Sequence, residues 1–199
     1  MSILEDNQDY VLEEFENTLF SKNIEEVNFK KCTFTNVDFS YCDLSKVYFE
    51  NCQFLNCDFS NALFPKFINK GNFYDTCKLL GTNFIEASFE KATFSHCQMK
   101  YSNFADCRIN NVTFNDCNLE SSSFMNLEKI KNLCFNDCSL KECEFFKVSL
   151  NGIDLRTSNI SGIRIGLEEL RGVIVTSSQA VSIAAILQIK IKEIGEEIE

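Results

Sequence analysis

Large apolar residues recur at every fifth position along most of the chain. The series runs Phe29, Phe34, Phe39, Leu44, Phe49, Phe54, Phe59, Phe64 and resumes at Leu79, Phe84, Phe89, Phe94, Met99, Phe104, Ile109, Phe114, Leu119, Phe124. It then slips by one residue and continues Ile130, Phe135, Leu140, Phe145, Leu150, Leu155, Ile160, Ile165. A helix brings a side chain back to the same face after 3.6 residues and a strand after two, so neither keeps each fifth residue on one side. The chain must turn once per five residues. A second series of mostly small residues lies two positions earlier, from Val27, Cys32, Val37 and Cys42 through Cys77, Thr82, Ala87 and Ala92 to Cys138, Cys143 and Ser158. Each unit therefore points one large and one small side chain inward and three residues outward. Two positions past the large residue stand turn formers such as Asn36, Asn51, Asn56, Asn61, Asn111, Gly81, Gly152 and Gly162, which puts a corner there.

Units such as Cys57-Asp58-Phe59-Ser60-Asn61, Cys32-Thr33-Phe34-Thr35-Asn36 and Ser102-Asn103-Phe104-Ala105-Asp106 resemble the pentapeptide repeat family. Its consensus is a small residue, Asp or Asn, Leu or Phe, then two polar residues. The resemblance covers residues 27–165 and implies an all-β solenoid, a right-handed quadrilateral parallel β-helix with four units per coil and a short C-terminal capping and dimerisation helix. About seven coils stacked at ~4.8 Å would make a rod on the order of 33 Å long.

Three segments follow. Residues 1–26 carry eight acids against Lys22 and read as a degenerate first coil, with Leu19 and Ile24 on the five-residue phase, or as a short helix. Residues 27–165 form the β-helix, with loops or bulges expected near 65–73, where Asn69 and Tyr74 take core positions, and at 125–129, where one extra residue shifts the register. Residues 166–199 form the cap. There Thr176 and Gln179 fit a capping box, Ala180 to Leu187 make a wide apolar helix stripe, and Ile189-Lys190-Ile191-Lys192 alternates like a strand.

Composition narrows the chemistry. Of eleven cysteines, ten fall in the small inward series and only Cys134 does not, so they are read as free, reduced fillers rather than disulfides or metal ligands. The lone histidine, His96, lies outward. No phosphate-binding loop, nucleophile elbow or cluster of convergent carboxylates is present, so no enzyme, cofactor or metal is expected. No apolar stretch reaches the ~18 residues of a membrane span and the N-terminus is acidic, which reads as a cytoplasmic protein without a membrane partner. A net charge of −10 argues against direct nucleic-acid binding.

Residues 1–26 sum to −7 and residues 188–199 to −2, leaving −1 for the rest, so the charge must be sorted by coil face. The face on Phe29, Phe49, Phe89, Ile109, Ile130 and Leu150, face one below, reads as basic: Lys30, Lys31, Lys70, Lys91, Arg108, Lys129 and Lys131 against Glu50 and Glu90. The next, face two, on Phe34, Phe54, Phe94, Phe114, Phe135 and Leu155, carries Asp75, Asp116, Asp137 and Asp154 against Arg156. The faces on Phe39 and Leu44 are faces three and four.

The stretch Leu170-Arg171-Gly172-Val173-Ile174-Val175-Thr176, continuing through Gln179-Ala180 to Leu187, is similar to the ending of the Qnr-like quinolone-resistance proteins of Gram-positive bacteria and of microcin-immunity relatives. That resemblance implies a tail-to-tail homodimer, here through Val181, Ile183, Ala184, Ile186, Leu187, Ile189 and Ile191. It also implies a DNA-mimicking shape that binds a type II DNA topoisomerase (gyrase or topoisomerase IV) and protects it from quinolones or peptide toxins, the four aspartates being the contact track. The alternative is a repeat scaffold for another protein partner, without DNA mimicry.

Overall fold

Most corners of the chain have the same local chemistry. Residues two past the inward large side chain adopt left-handed backbone: Asn36, Asn51, Asn56, Asn61, Asp106 and Asn111 have φ between 53° and 60°. Asn and Asp tolerate this region because their side chains bond nearby backbone. Lys31, Tyr41, Lys91, His96 and Tyr101 are held in it as well, which the surrounding coils must enforce. The Asp or Asn just before the large residue closes a local turn of its own. The Oδ1 atoms of Asp38, Asp58, Asn103 and Asn159 accept from the amides of Ser40, Ser60, Ala105 and Ser161 at 2.8–3.0 Å.

The computed structural model describes residues 7–20, 26–127 and 129–192. They form a parallel β-solenoid of about eight turns with one short helix. In chain order the strands are β1 (Asp9–Val11), β2 (Glu14–Glu16), β3 (Val27–Lys30), β4 (Thr33–Thr35), β5 (Val47–Glu50), β6 (Gln53–Leu55), β7 (Ile68–Lys70) and β8 (Phe73–Asp75). They continue as β9 (Ser88–Ser95), β10 (Arg108–Asn115), β11 (Ser123–Met125), β12 (Lys129–Asn136), β13 (Glu144–Phe146) and β14 (Arg164–Ile165), followed by α1 (Ser177–Ile186). Faces one and two stack β1 and β2 on β3 and β4 and so on to β9, β10 and β12, all in parallel. Face three is joined by single bridges from Leu19 through Asp38, Asp58, Lys78, Gln98, Asn118 and Ser139 to Asn159, and face four ends in β11, β13 and β14.

The inward series is the core. On face two the rings of Phe15, Phe34, Phe54, Tyr74, Phe94, Phe114 and Phe135 stack coil upon coil with centroids 4.6–5.3 Å apart. Each stacked pair adds about 0.5–1.5 kcal/mol beyond its burial. All ten inward cysteines are buried and Cys134 is exposed.

Three expectations are corrected. Residues 1–26 do not keep the phase of Leu19, which is 66% exposed; Phe15 and Phe20 are buried instead, because the first coil is one residue short (Phe15 pairs with Phe34). Ile24 lies outside the described residues. Residues 65–73 are not a loop: Asn69 pairs with Phe49 and Phe89, Tyr74 with Phe54 and Phe94, and the spacing stays at one coil. The polar core residues there find buried partners for most of their polar atoms. Asn69 Nδ2 donates to the Tyr74 hydroxyl at 3.0 Å, and Asn72 bridges the Phe49 carbonyl (2.9 Å) and the Cys52 amide (2.8 Å). Third, Ile189 to Lys192 pairs with no strand among the described residues. The extra residue near 125–129 is absorbed in the turn before β12, whose whole register on β10 is one residue longer (Ile109 with Ile130, Phe114 with Phe135).

Candidate partner-binding surface

Face two is built by β2, β4, β6, β8 and the second halves of β9, β10 and β12. Its outward positions are the two flanks of each inward ring and the corner that follows. Because β2 pairs in register with β4, Glu14 and Glu16 stand at the top of this face. Sequence reasoning missed them, since the short first coil hides their phase. The only cations on the face are His96 and Arg156; no lysine stands on it among the described residues.

Of the four aspartates singled out by sequence, three form one strip. Asp75 Oδ1 lies 2.7 Å from His96 Nδ1. His96, Asp116 and Asp137 are successive corners of one column, all left-handed (φ 53°, 48° and 54°). The hydrogen bond that the ring donates to Asp75 raises the His96 pKa above its ordinary value. Asp116 and Asp137 make no ion pair among the described residues, and the Asp137 amide donates to Thr157 Oγ1 at 3.0 Å. Asp154 stands apart on the opposite flank. It is clasped by Arg156, whose Nη2 is 2.7 Å from Oδ2, and this pairing holds its carboxyl below the usual range.

Face one is not uniformly basic. Glu50 stands between Lys30 (3.5 Å) and Lys70 (2.8 Å), so its upper half is a ladder of alternating charge. The hydrogen bond from Lys70 is the main reason the Glu50 carboxyl is held low. Arg108, Lys129 and Lys131, lower on the face, make no ion pair among the described residues.

The C-terminal cap closes the last coil through Gln179. Its Oε1 accepts from the Thr176 amide, completing the capping box with Thr176 Oγ1, while its Nε2 donates to the carbonyls of Leu155 (2.8 Å) and Ser158 (2.9 Å). Ile183 packs against the core, and Ala184 and Leu187 are half-buried. Val181, Ile186, Ile189 and Ile191 stay exposed, beside an exposed Ile174. Helix α1 carries no charged side chain, so this end of the rod presents an apolar patch. Among the described residues no helix is long and apolar enough to cross a membrane.

Two family models match the chain, "Pentapeptide repeats (9 copies)" over residues 15–63 and "Pentapeptide repeat region" over residues 72–145. The chain belongs to the pentapeptide repeat family. Comparison with curated protein sequences returned no match. Among solved structures, this pentapeptide repeat protein is similar to a trypsin-treated form of QnrB1, a plasmid-mediated fluoroquinolone resistance protein. The two are 20% identical, with 93% of this chain and 100% of that one covered and a TM-score of 0.40. Full-length QnrB1 is 19% identical over 90% and 99% of the chains, with a TM-score of 0.32. HetL, a pentapeptide repeat protein involved in heterocyst differentiation regulation from the cyanobacterium Nostoc sp. strain PCC 7120, is 12% identical over 86% and 91%, with a TM-score of 0.30. These likenesses are of fold.

Proposed function

We infer that this pentapeptide repeat protein is a non-catalytic binding rod of the cytoplasm. Its second face takes the place of DNA on a type II topoisomerase, gyrase or topoisomerase IV, and so protects the enzyme from quinolones or peptide toxins. The observation that carries the reading is the absence of lysine from face two, with carboxylates from Glu14 to Asp154. The resemblance of the segment from Leu170 to Leu187 to the Qnr-like ending supports it. Carboxylates on a stacked solenoid are already held in position, so they lose little entropy when they meet the arginines and lysines of a DNA-binding groove. The same field speeds encounter with a cationic partner.

Supercoiling and cleavage assays with both bacterial enzymes, with and without a quinolone, test this. The protein should inhibit the enzyme or relieve the drug. A variant with Asp75, Asp116 and Asp137 changed to Asn should lose most of that effect while keeping its fold, because all three point outward. A single change should do little, since an exposed pair is worth only about 0–1 kcal/mol. If the wild type neither inhibits nor protects either enzyme at micromolar concentration, the scaffold reading replaces this one.

A further inference from the structure

On faces one and two the parallel ladder is interrupted below β12 and resumes one coil later, where Asp154 bridges Ile174. One edge of β12 pairs with β10 in continuous register from Arg108 with Lys129 to Asn115 with Asn136. The other edge pairs with no strand among the described residues, although the chain passes beneath it at residues 148–156. On faces three and four the same two coils stay joined: the Leu140 amide donates to the Asn159 carbonyl and the Arg164 amide to the Cys143 carbonyl, both at 2.8 Å. Hydroxyls replace part of the missing ladder, Thr157 Oγ1 accepting from the Asp137 amide and Ser158 Oγ from the Cys138 amide. The seam thus opens like a wedge.

Glycines measure the gap independently. A Cβ on Gly71, Gly81 or Gly172 would run into the side chain of Asn51, Asn61 or Asn151 on the adjacent coil, whereas one on Gly152 would meet nothing within 4 Å. A cavity of about 390 Å³ fills the opening, lined by Leu127, Ile130, Asn132, Leu133, Ser149 and Ile153. Its upper lip carries Lys129 and Lys131, with Arg108 one coil above.

We propose that this seam is a docking site for an extended acidic peptide segment of another protein, which adds a parallel strand to the open edge of β12. An unpaired edge offers main-chain donors and acceptors to any strand, and lysines on such an edge repel most of them. A strand carrying carboxylates is the exception. In parallel register its residues opposite Lys129 and Lys131 would be acidic, and the one between them, opposite Ile130, small and apolar. Neither the topoisomerase reading nor face two is needed for this.

The probe is a fluorescein-labelled peptide of alternating Glu and Val with Gly-Ser ends, and its control has Lys in place of Glu. Fluorescence anisotropy should show micromolar binding of the acidic peptide alone. Hydrogen exchange on the wild-type complex should show new protection within residues 129–136 and 148–156. Lys129→Glu with Lys131→Glu should weaken binding by at least about tenfold, and Lys30→Glu with Lys31→Glu should not. The proposal is overturned if the Lys peptide binds as well or if protection falls elsewhere. It also fails if the amides of Asn132 and Asp154 in the free protein exchange as slowly as those of β9 and β10, because these two would bond across a closed seam as Gly71 and Thr93 do between their coils. Self-association that protects the same amides without peptide would make a second copy the occupant and would likewise overturn it.

Discussion

The inward cysteines do more than fill space. Each of the ten donates its thiol to the carbonyl of a large inward residue on the preceding coil, for example Cys107 to Phe84 at 3.0 Å and Cys143 to Leu119 at 2.9 Å. Thr82, Ser102 and Ser122 make the same bond to Phe59, Leu79 and Met99 at 2.7–2.8 Å. This explains why Cys, Ser and Thr exchange at that position, which the size of the side chain alone does not. Cys107→Ser should therefore keep stability, and Cys107→Ala should cost about 0.5–1.5 kcal/mol in urea unfolding, because it removes one of the two donors to the Phe84 carbonyl, which keeps the Ala87 amide at 2.9 Å. Burial also pushes the thiols of Cys52, Cys107 and Cys143 up to about 12, so in native protein a thiol reagent should label Cys134 first. The one histidine gives a clean titration. Its pKa is raised by Asp75, so the pair's contribution to stability is fully present below the ordinary histidine pKa and is lost as pH rises through the raised value. By NMR, His96 should titrate above the ordinary histidine range, and Asp75→Asn should move it down. Above that pH Asp75 is uncompensated and face two is more negative, so binding of a cationic partner should strengthen.

At the scale of the repeat, the fourth coil tests how far polar residues can enter the column. Asn69 replaces a ring between Phe49 and Phe89 and is fully buried, with Nδ2 on the Tyr74 hydroxyl and Oδ1 without a partner among the described residues. Tyr74→Phe alone should cost about 1–3 kcal/mol, since it leaves the Asn69 amide unpaired as well. Adding Asn69→Leu should recover that loss or exceed it, because both polar partners are then gone together. Denaturation midpoints of the two singles and the double decide this. Equal additive losses would mean that the Asn69–Tyr74 bond carries no coupling. The polar pair was legible as a break in the apolar series. That the coil continues through it was not, since only the paired neighbours above and below show that the backbone keeps its spacing.

For the whole molecule the open question is what covers the C-terminal end. We propose a second copy, joined through the exposed Val181, Ile186, Ile189 and Ile191. Ile183 belongs to the cap itself, so a charge there would damage the last coil, whereas Ile186→Asp changes an exposed position. In sedimentation the wild type should be a dimer and Ile186→Asp a monomer, with the β circular dichroism and melting of the solenoid retained. A wild-type monomer at micromolar concentration would remove the dimer from the functional reading.

The five-residue period, the corner residues and the inward cysteines were all determined by sequence, because each is a local demand repeated in every unit: one large side chain in, one small, one left-handed turn. Their agreement over two dozen units leaves a single fold. Long-range stacking was decided only in three dimensions. Glu14 and Glu16 join face two because the first coil is one residue short, and Glu50 neutralises Lys30 and Lys70 because it stands between them one coil away on either side. The seam beneath β12 opens on two faces while the same coils stay paired on the other two (Ser139 with Asn159, Phe145 with Ile165), and the repeat looks the same on both sides of it. Register errors accumulate along the rod, and a five-residue window carries no record of them.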